Sequence, residues 1–189
     1  MTYKYFTGEW YSDNAIMFDY LDEMNVVSGT DRNKIHYVSP KKGGSNLFGY
    51  TWRSYLTPTR NRTPVPGHEK LWYTKLRDDY PEFHDIAKEF RDLHFPKFKY
   101  SQIQINKNYP IPKHKDSKNQ DESVLVTFGD FTGGLTCIDS NGITLKFDAR
   151  DRKALFDGSK HEHWVEPFNG DRYSLVFFHT MKKRPELLI

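Results

Sequence analysis

The chain has 189 residues, of which 37% are hydrophobic and 28% are charged, a balance that suits one folded domain and excludes wholesale disorder. Its single cysteine excludes a disulfide framework and a cysteine-based zinc site. The formal charge of +3 permits an anionic partner without requiring one. No segment reaches the roughly 18 apolar residues of a membrane helix, and the polar N-terminus lacks the apolar core of a secretory signal. We therefore expect an intracellular protein, cytoplasmic or nuclear (or in the host cell cytoplasm if viral), with no membrane partner and no obligate protein partner.

The first hundred residues predict two helices separated by loops. Acidic and apolar residues recur at helical spacing over 14–24, and apolar residues recur every three or four positions over 80–93. Glycines predict a loop at 41–45. Three prolines, which remove backbone donors, predict a long exposed loop at 57–69.

The second half of the chain predicts short strands separated by turns. Residues 100–107 alternate between polar and apolar, which predicts a half-buried strand, and Asn141-Gly142 strongly favours a two-residue hairpin. Strands at this spacing favour a β-sandwich or a jelly roll, and a double-stranded β-helix is one version of that architecture. We expect a mainly β fold with flanking helices (α+β) and a double-stranded β-helix core. The other predicted strands are 123–129, 135–139, 143–147, 154–156 and 173–179, with turns at 133–134 and 169–171.

Two histidines and an aspartate fall in this β region at a spacing that suits a metal. His114 and Asp116 are one residue apart just after a strand, so both side chains point to one face and Lys115 points away. His163 follows about fifty residues later. Two imidazoles and one carboxylate form the facial triad of non-haem iron(II) oxygenases, which leaves coordination positions open for a co-substrate and O2.

An arginine and a serine stand at the last predicted strand. Arg172 can bind a carboxylate through two parallel, charge-assisted hydrogen bonds, and Ser174 shares its face and can add a hydroxyl bond. Each of these features alone is typical of a solvated loop or an edge salt bridge. Their order and spacing together favour a dicarboxylate site beside a metal. His161 has the same parity as His163, so the residues alone leave the third metal ligand open between the two.

With these features the sequence resembles the 2-oxoglutarate/iron(II) oxygenase superfamily, and more narrowly the TET/JBP-type branch with its small phage and algal relatives. Many members have H-x-V-x-P, a turn and R-x-S in this register, which favours His163 over His161 as the third ligand. Residues 1–100 match no pattern that we can name. The resembling stretches are N-K-N at 106–108, P-K-H-K-D at 112–116, Asn119, Ser123, F-G-D-F-T-G-G-L at 128–135, F-D-G at 156–158 and P-F-x-G-D-R-Y-S-L-V at 167–176.

The resemblance implies an enzyme that uses iron(II), 2-oxoglutarate and O2 to hydroxylate a C–H bond, with succinate as co-product. In the TET/JBP-type branch the substrate is the methyl group of 5-methylcytosine or thymine in nucleic acid, and this is the function we expect. One domain would span 1–189, with a substrate-specific part at 1–100 and the catalytic core at 101–180. The expected site residues are His114, Asp116 and His163 for iron, and Arg172, Ser174 and Asn106 for 2-oxoglutarate.

The substrate is the least defined part of this expectation. A base methyl inside a duplex is out of reach of the metal, so the base must be flipped out or already single-stranded. Arg60 and Arg62, on the proline-rich loop, are candidates to clamp the phosphate backbone, and Asn119 and His161 are candidates to contact the substrate. The alternatives are a hydroxylase of a protein side chain, a free nucleotide or a small metabolite. A non-catalytic metal- or sugar-binding cupin is disfavoured, because it has no need of an arginine and a serine beside an open iron site.

Overall fold

Short strands flanked by helices make up the described part of the chain. The computed structural model describes residues 5–24, 44–52, 63–68, 71–180 and 189. No helix within these ranges is long and apolar enough to cross a membrane. The helices are α1 (Trp10–Glu23), α2 (Lys75–Asp79) and α3 (Phe83–His94). The strands are β1 (Gly44–Trp52), β2 (Leu71–Tyr73), β3 (Gln102–Lys107), β4 (Gln120–Phe128), β5 (Phe131–Gly133), β6 (Thr136–Ser140), β7 (Ile143–Phe147), β8 (Ala154–Phe156), β9 (His163–Val165), β10 (Phe168–Gly170) and β11 (Tyr173–His179).

The strands form a large sheet, a small sheet and a two-stranded ribbon. The large sheet has the order β2-β1-β3-β11-β4-β8, the small sheet has the order β7-β6-β9, and β5 pairs with β10. These pairings are all antiparallel. The last strand, β11, lies between β3 and β4, which is a long-range crossover of the kind found in jelly rolls. The predicted mainly β class with a jelly-roll core is therefore confirmed.

The two sheets face each other across an apolar layer. Leu125 and Val176 of the large sheet pack in one cluster with Ile138 and Phe147 of the small sheet. His163 stands opposite Ile138 in the pairing of β9 with β6. Directly opposed residues share a face of a sheet, so His163 points into this interior.

The helices cover the other face of the large sheet. Ile103 of β3 and Phe177 of β11 belong to one core with Leu21 of α1 and Phe90 of α3. All four side chains are almost fully buried. Burial of this face stabilises the sheet and leaves its opposite face for the interior between the sheets.

A buried hydrogen bond between Asp13 and His94 ties α1 to α3. Burial lowers the pKa of His94, so its ring is neutral at neutral pH. The carboxylate of Asp13 lies 2.9 Å from Nε2 of His94 and also accepts hydrogen bonds from the backbone N–H groups of Thr7 and Gly8. Burial tends to raise the pKa of Asp13, but the hydrogen bonds outweigh it and hold that pKa below its ordinary value. Trp10 stacks against His94, with ring centroids 4.1 Å apart. These contacts fix the N-terminal helix on the core.

The hairpin and the last strands occur where the sequence predicts them. Strands β7, β8 and β11 have the predicted bounds. Asn141 and Gly142 have φ values of 54° and 81°, as a type I′ turn requires, and β7 pairs with β6 across them. The hairpin prediction is therefore confirmed.

The two predicted helices are present with shifted starts. The first, predicted from residue 14, begins at Trp10, and the second, predicted from residue 80, begins at Phe83. Pro81 lies before the second helix, where its missing N–H costs nothing. The buried residues of α3 recur at three- and four-residue spacing, as predicted.

Some local predictions are wrong because long-range pairing overrides turn chemistry. Gly44 and Ser45, predicted as loop, begin β1 and pair with β3. Gly170, predicted in a turn, ends β10 and pairs with β5. Val65, predicted in an exposed loop, is buried against Leu71.

Strand β3 is buried on both faces and not on one face as predicted. Ile103 and Ile105 pack under the helices. On the opposite face, Gln102 and Asn106 are only 6% and 2% exposed. The interior between the sheets therefore holds polar side chains, and such groups need partners once they are out of water.

Candidate metal centre and arginine pocket

Three potential metal ligands converge at one point. His114, Asp116 and His163 offer ligand atoms that all lie within 4.8 Å of one another. Nε2 of His114 is 3.5 Å from Oδ1 of Asp116, and Nε2 of His163 is 3.4 Å from Oδ2 of the same carboxylate. The imidazole centroids are 4.3 Å apart. One ion placed among these atoms can contact all three side chains.

Backbone hydrogen bonds hold the three residues in place. His114 and His163 form an antiparallel bridge, with N–H to carbonyl distances of 3.0 and 2.9 Å. The N–H of Asp116 donates to the carbonyl oxygen of Gly158 at 2.9 Å. The segment after β3 is thereby tied to β9, so residues that are distant in the sequence share one site.

Each imidazole also uses its second nitrogen. Nδ1 of His114 is 2.8 Å from the carbonyl oxygen of Pro112, and Nδ1 of His163 is 3.1 Å from that of His161. A carbonyl oxygen only accepts, so Nδ1 is the donor in both rings. In a neutral imidazole this leaves the lone pair on Nε2, which faces the centre. Ligating histidines in proteins are oriented in this way.

The carboxylate of Asp116 is kept ionised. Burial tends to raise its pKa, but the adjacent imidazoles of His114 and then His163 outweigh burial, and the pKa lies well below the ordinary value. Nδ2 of Asn119 donates to Oδ2 of Asp116 at 3.2 Å and orients the group. The side chain of Asp116 is 27% exposed, so the centre is reachable from solvent.

Gly158 fits closely against the centre. A Cβ added at this position would lie 3.1 Å from Oδ2 of Asp116 and 3.1 Å from Cε1 of His163. Phe156 stands behind it, with its ring centroid 5.0 Å from that of His163. The absence of a side chain at Gly158 thus lets two ligands approach the same point.

The chemistry of these donors fits iron(II). Two imidazole nitrogens and one carboxylate oxygen form the facial set of non-haem iron enzymes and leave other coordination positions free. No cysteine is among the clustered residues. The residues present therefore suit the metal that the sequence resemblance implies.

A buried arginine lies on the same interior face of the large sheet. Arg172 is 2% exposed, and it precedes Ser174 and Val176 at two-residue intervals, so the three share a face. Within the described residues, Nε and Nη2 of Arg172 have no hydrogen-bond partner. These two nitrogens share one edge of the guanidinium, the edge that binds a carboxylate side-on. Such an unpaired edge is costly to bury unless an anion completes it.

Aromatic rings line the pocket of this guanidinium. Its central carbon lies 5.5 Å from the ring centroid of Phe131 and 5.6 Å from that of Phe168. A Cβ on Gly134 would lie 3.1 Å from both Cδ and Nε of Arg172. The predicted turn at 133–134 is therefore also a close approach of backbone to the arginine, which only glycine allows here.

Arg172 remains charged in this pocket. Burial lowers its pKa to about 10, while nearby Asp148 favours the charged form and Arg150 opposes it. A pKa of about 10 still leaves the guanidinium protonated at neutral pH. The pocket thus presents a positive charge in apolar surroundings, where an opposite charge is bound most strongly.

The residues predicted for substrate and co-substrate have separate positions. Asn106 donates to Oγ of Ser174 at 3.1 Å, which places it behind the arginine pocket. Asn119 contacts Asp116. His161 is not part of the ligand cluster, and its Nδ1 lies 3.2 Å from the carbonyl oxygen of Asp139. Lys115 is exposed, as predicted. The predicted phosphate clamp of Arg60 and Arg62 lies outside the described residues.

Sequence reasoning missed several residues that shape the site. Gly158 and Phe131 carry no chemical signal of their own, although both lie in stretches that resemble the oxygenases. Thr127 lies inside an apolar strand, β4, and only the sheet register shows that it faces the interior. A strict reading of alternation along β4 from the buried Leu125 is the one sequence signal that could have found it.

No protein-family model and no curated protein sequence matches the chain. Among solved structures, that of OsALKBH1 aligns over 93% of this chain and 99% of its own, with a TM-score of 0.50 and 12% identity. NgTET1 in complex with 5mC DNA aligns over 86% of this chain and 68% of its own, with a TM-score of 0.45 and 15% identity. An oxidoreductase of the 2OG-Fe(II) oxygenase family from Burkholderia pseudomallei aligns over 62% of this chain and 64% of its own, with a TM-score of 0.43 and 20% identity.

These likenesses concern the fold. Only the first of the three reaches a TM-score of 0.50, and it covers nearly the whole of both chains. This chain spans slightly less than two thirds of the Burkholderia protein. The likeness to OsALKBH1 and the sheet order show a double-stranded β-helix fold. The clustered His114, Asp116 and His163 of this fold agree with the metal site that the sequence resemblance implies.

Proposed function

We propose that the chain is a 2-oxoglutarate- and iron(II)-dependent dioxygenase that hydroxylates the methyl group of 5-methylcytosine or thymine in nucleic acid. The enzyme class is supported chiefly by one observation: the metal-ligand set and the buried arginine both face the interior between the two sheets. His163 shares a face with Ile138, and Arg172 shares a face with Val176, and these two apolar residues belong to the same cluster. The metal set and the anion pocket therefore face the same interior between the two sheets.

The roles of the residues follow from their contacts. His114, Asp116 and His163 hold iron(II), and Asn119 keeps the Asp116 carboxylate oriented. Arg172 binds the distal carboxylate of 2-oxoglutarate through Nε and Nη2.

Iron(II), when bound, would supply the reaction of O2 with 2-oxoglutarate, which would yield succinate, carbon dioxide and an oxidant for the substrate C–H bond. Phe131 and Phe168 exclude water from the salt bridge and so strengthen it. Ser174 adds a hydroxyl beside the arginine, and Asn106 holds that hydroxyl from behind. The side chains of the chain thus anchor both ends of the co-substrate.

The nucleic-acid substrate rests on the resemblance to the TET/JBP-type branch. A methyl group on a base must leave the stack to reach a buried metal, and the exposed flank of the centre at Asp116 gives it a route. Asn119 borders this flank through its contact with Asp116, and His161 remains a proposed substrate contact. Arg60 and Arg62 remain the proposed phosphate contacts.

Succinate release tests the enzyme class. The purified chain with iron(II), 2-oxoglutarate and ascorbate should form succinate, and Asp116→Ala should abolish this turnover. Arg172→Ala should sharply raise the 2-oxoglutarate concentration required. If Asp116→Ala retains full turnover, the metal assignment is wrong.

Nucleoside mass spectrometry tests the substrate. Single-stranded and duplex DNA and RNA carrying 5-methylcytosine, and thymine-containing DNA, should yield a hydroxymethyl base with one or more of these substrates. Free nucleotides and peptides are assayed separately, because they represent the alternative substrate classes. Succinate release without any oxidised base would retain the oxygenase and remove nucleic acid as its substrate.

A further inference from the structure

A row of polar side chains crosses the interior face of the large sheet. Ser174 of β11 stands opposite Asn106 of β3 on one side and opposite Thr127 of β4 on the other. Directly opposed residues share a face, so all three point into the interior with Arg172. Their exposures do not exceed 2%.

The hydrogen bonds along this row all run in the same sense, with each side chain donating to the next one towards Ser174. Gln104 donates through Nε2 to Oγ of Ser45 at 3.0 Å, and Ser45 donates to Oδ1 of Asn106 at 2.6 Å. With its oxygen occupied as an acceptor, Asn106 donates through Nδ2 to Oγ of Ser174 at 3.1 Å. Ser174 thus accepts on its sheet side and has its own proton left to give into the pocket.

Thr127 has a hydroxyl of the same kind on the other side of Ser174. Its backbone N–H donates to the carbonyl oxygen of Ala149 at 3.0 Å. Its Oγ1 is buried and has no partner among the described residues. A buried hydroxyl that is left unpaired lowers stability. Thr127 stands opposite Ser174 and so shares the interior face with Arg172, whose guanidinium edge is also unpaired, which marks its hydroxyl as a group held for a ligand.

We infer that Thr127 donates a hydrogen bond to the distal carboxylate of bound 2-oxoglutarate and so completes a cradle with Arg172 and Ser174. This inference rests on the proposed function. Two nitrogens of the guanidinium and two hydroxyls give four donors. A carboxylate has about four lone-pair sites, so the cradle matches its capacity. The donors fix the position of the distal carboxylate, so the length of the bound dicarboxylate must match the distance from this position to the metal. Thr127 therefore helps to select a dicarboxylate of that length.

Calorimetric binding tests the inference without turnover. The protein is loaded with manganese(II) and titrated with 2-oxoglutarate, and separately with 2-oxopentanoate, which has the same chain length and no distal carboxylate. Thr127→Val keeps the shape and removes the hydroxyl, and it should weaken 2-oxoglutarate binding about tenfold, as expected for a hydrogen bond to a charged group. Thr127→Ser should bind within about threefold of the wild type, because it retains the donor. Binding of 2-oxopentanoate should be the same for all three proteins.

A matched control separates this effect from the loss of any buried hydroxyl. Ser101 is fully buried, and its Oγ also has no partner in the described part of the chain. It lies two residues before Ile103 and so on the helix side of the sheet. Ser101→Ala should leave 2-oxoglutarate binding unchanged.

The outcomes distinguish the inference from the proposed function. If the wild type binds no 2-oxoglutarate, the proposed function fails and the inference fails with it. If the wild type binds and Arg172→Ala does not, but Thr127→Val binds like the wild type, only the inference is overturned. If Thr127→Val loses as much affinity for 2-oxopentanoate as for 2-oxoglutarate, the inference is also overturned, because 2-oxopentanoate has no distal carboxylate for the hydroxyl to bind. Should Thr127→Val not fold, a tenfold loss in Thr127→Ser would refute the donor role.

Discussion

Gly158 provides the sharpest test of the metal centre, because it touches the ligands without being one. Its φ is not in the left-handed region, unlike that of most described glycines. Alanine at this position therefore meets no backbone penalty. Its Cβ would instead crowd the metal ligands, because it would lie 3.1 Å from Oδ2 of Asp116 and 3.1 Å from Cε1 of His163.

The expected magnitude follows from this crowding. Ordinary contact with a Cβ begins at 3.4 Å, so the Gly158→Ala methyl requires the two ligands to move by a few tenths of an ångström. Metal–ligand distances tolerate deviations of only about 0.2 Å. Changes beside the ligands typically weaken metal binding about 10- to 100-fold, which corresponds to roughly 1.4–2.8 kcal/mol.

The assay is calorimetric titration of the metal-free protein with manganese(II), beside thermal unfolding without metal. Gly158→Ala should unfold near the wild-type temperature without metal and should bind manganese(II) at least about tenfold more weakly. A folded Gly158→Ala that binds the metal with wild-type affinity would show that the three side chains do not share one ion.

Gly134→Ala is the matched contrast, because its Cβ would press on Arg172 and not on the metal ligands. Its φ of 68° adds backbone strain of about 1–2 kcal/mol. We expect weaker 2-oxoglutarate binding, a lower unfolding temperature and unchanged manganese(II) affinity. Loss of metal affinity in Gly134→Ala would mean that the two pockets are not separable.

Other changes give further tests. Arg172→Lys keeps the charge but loses the two-nitrogen edge, so 2-oxoglutarate binding measured by calorimetry should weaken about tenfold or more while metal affinity persists. His163→Ala should lose manganese(II) binding and His161→Ala should retain it; the reverse result would exchange their roles. Asp13→Ala should lower the free energy of unfolding in urea by about 3 kcal/mol, because it removes several hydrogen bonds to a buried carboxylate. Because the folded-state pKa of Asp13 lies below 3.8, this difference should persist at neutral pH and shrink as the pH falls below that value. A difference that grows in acid would refute it.

The sequence could predict the elements whose signals are local. The Asn141-Gly142 hairpin formed as predicted because both residues adopt positive φ more readily than others. Strand β11 had its predicted bounds because its β-branched and aromatic residues favour strands wherever the chain places them. Signals of this kind lie within a few residues and need no knowledge of the partner strand.

Residues whose state depends on a distant partner could not be predicted. Gly44 and Ser45 look like loop residues, but pairing with β3 makes them strand. The polar residues of β3 predicted a solvated face, but Gln102 and Asn106 are buried once the chain folds. Thr127 and Gly158 matter because of what lies opposite them. Alternation along β4 can place Thr127 on the face of Leu125, but it does not show which residues stand opposite.

The sequence by itself determined the identity of the chemical groups. It placed two imidazoles, a carboxylate, a guanidinium and a hydroxyl in an order that resembles one enzyme class, since those residue types and their spacing are written in the chain. Only the tertiary structure decided that His163 joins the cluster and His161 does not, and that the edge of Arg172 is left unpaired. The physical reason is that ligation and burial depend on distances between strands far apart in sequence, which arise only when the sheets pack.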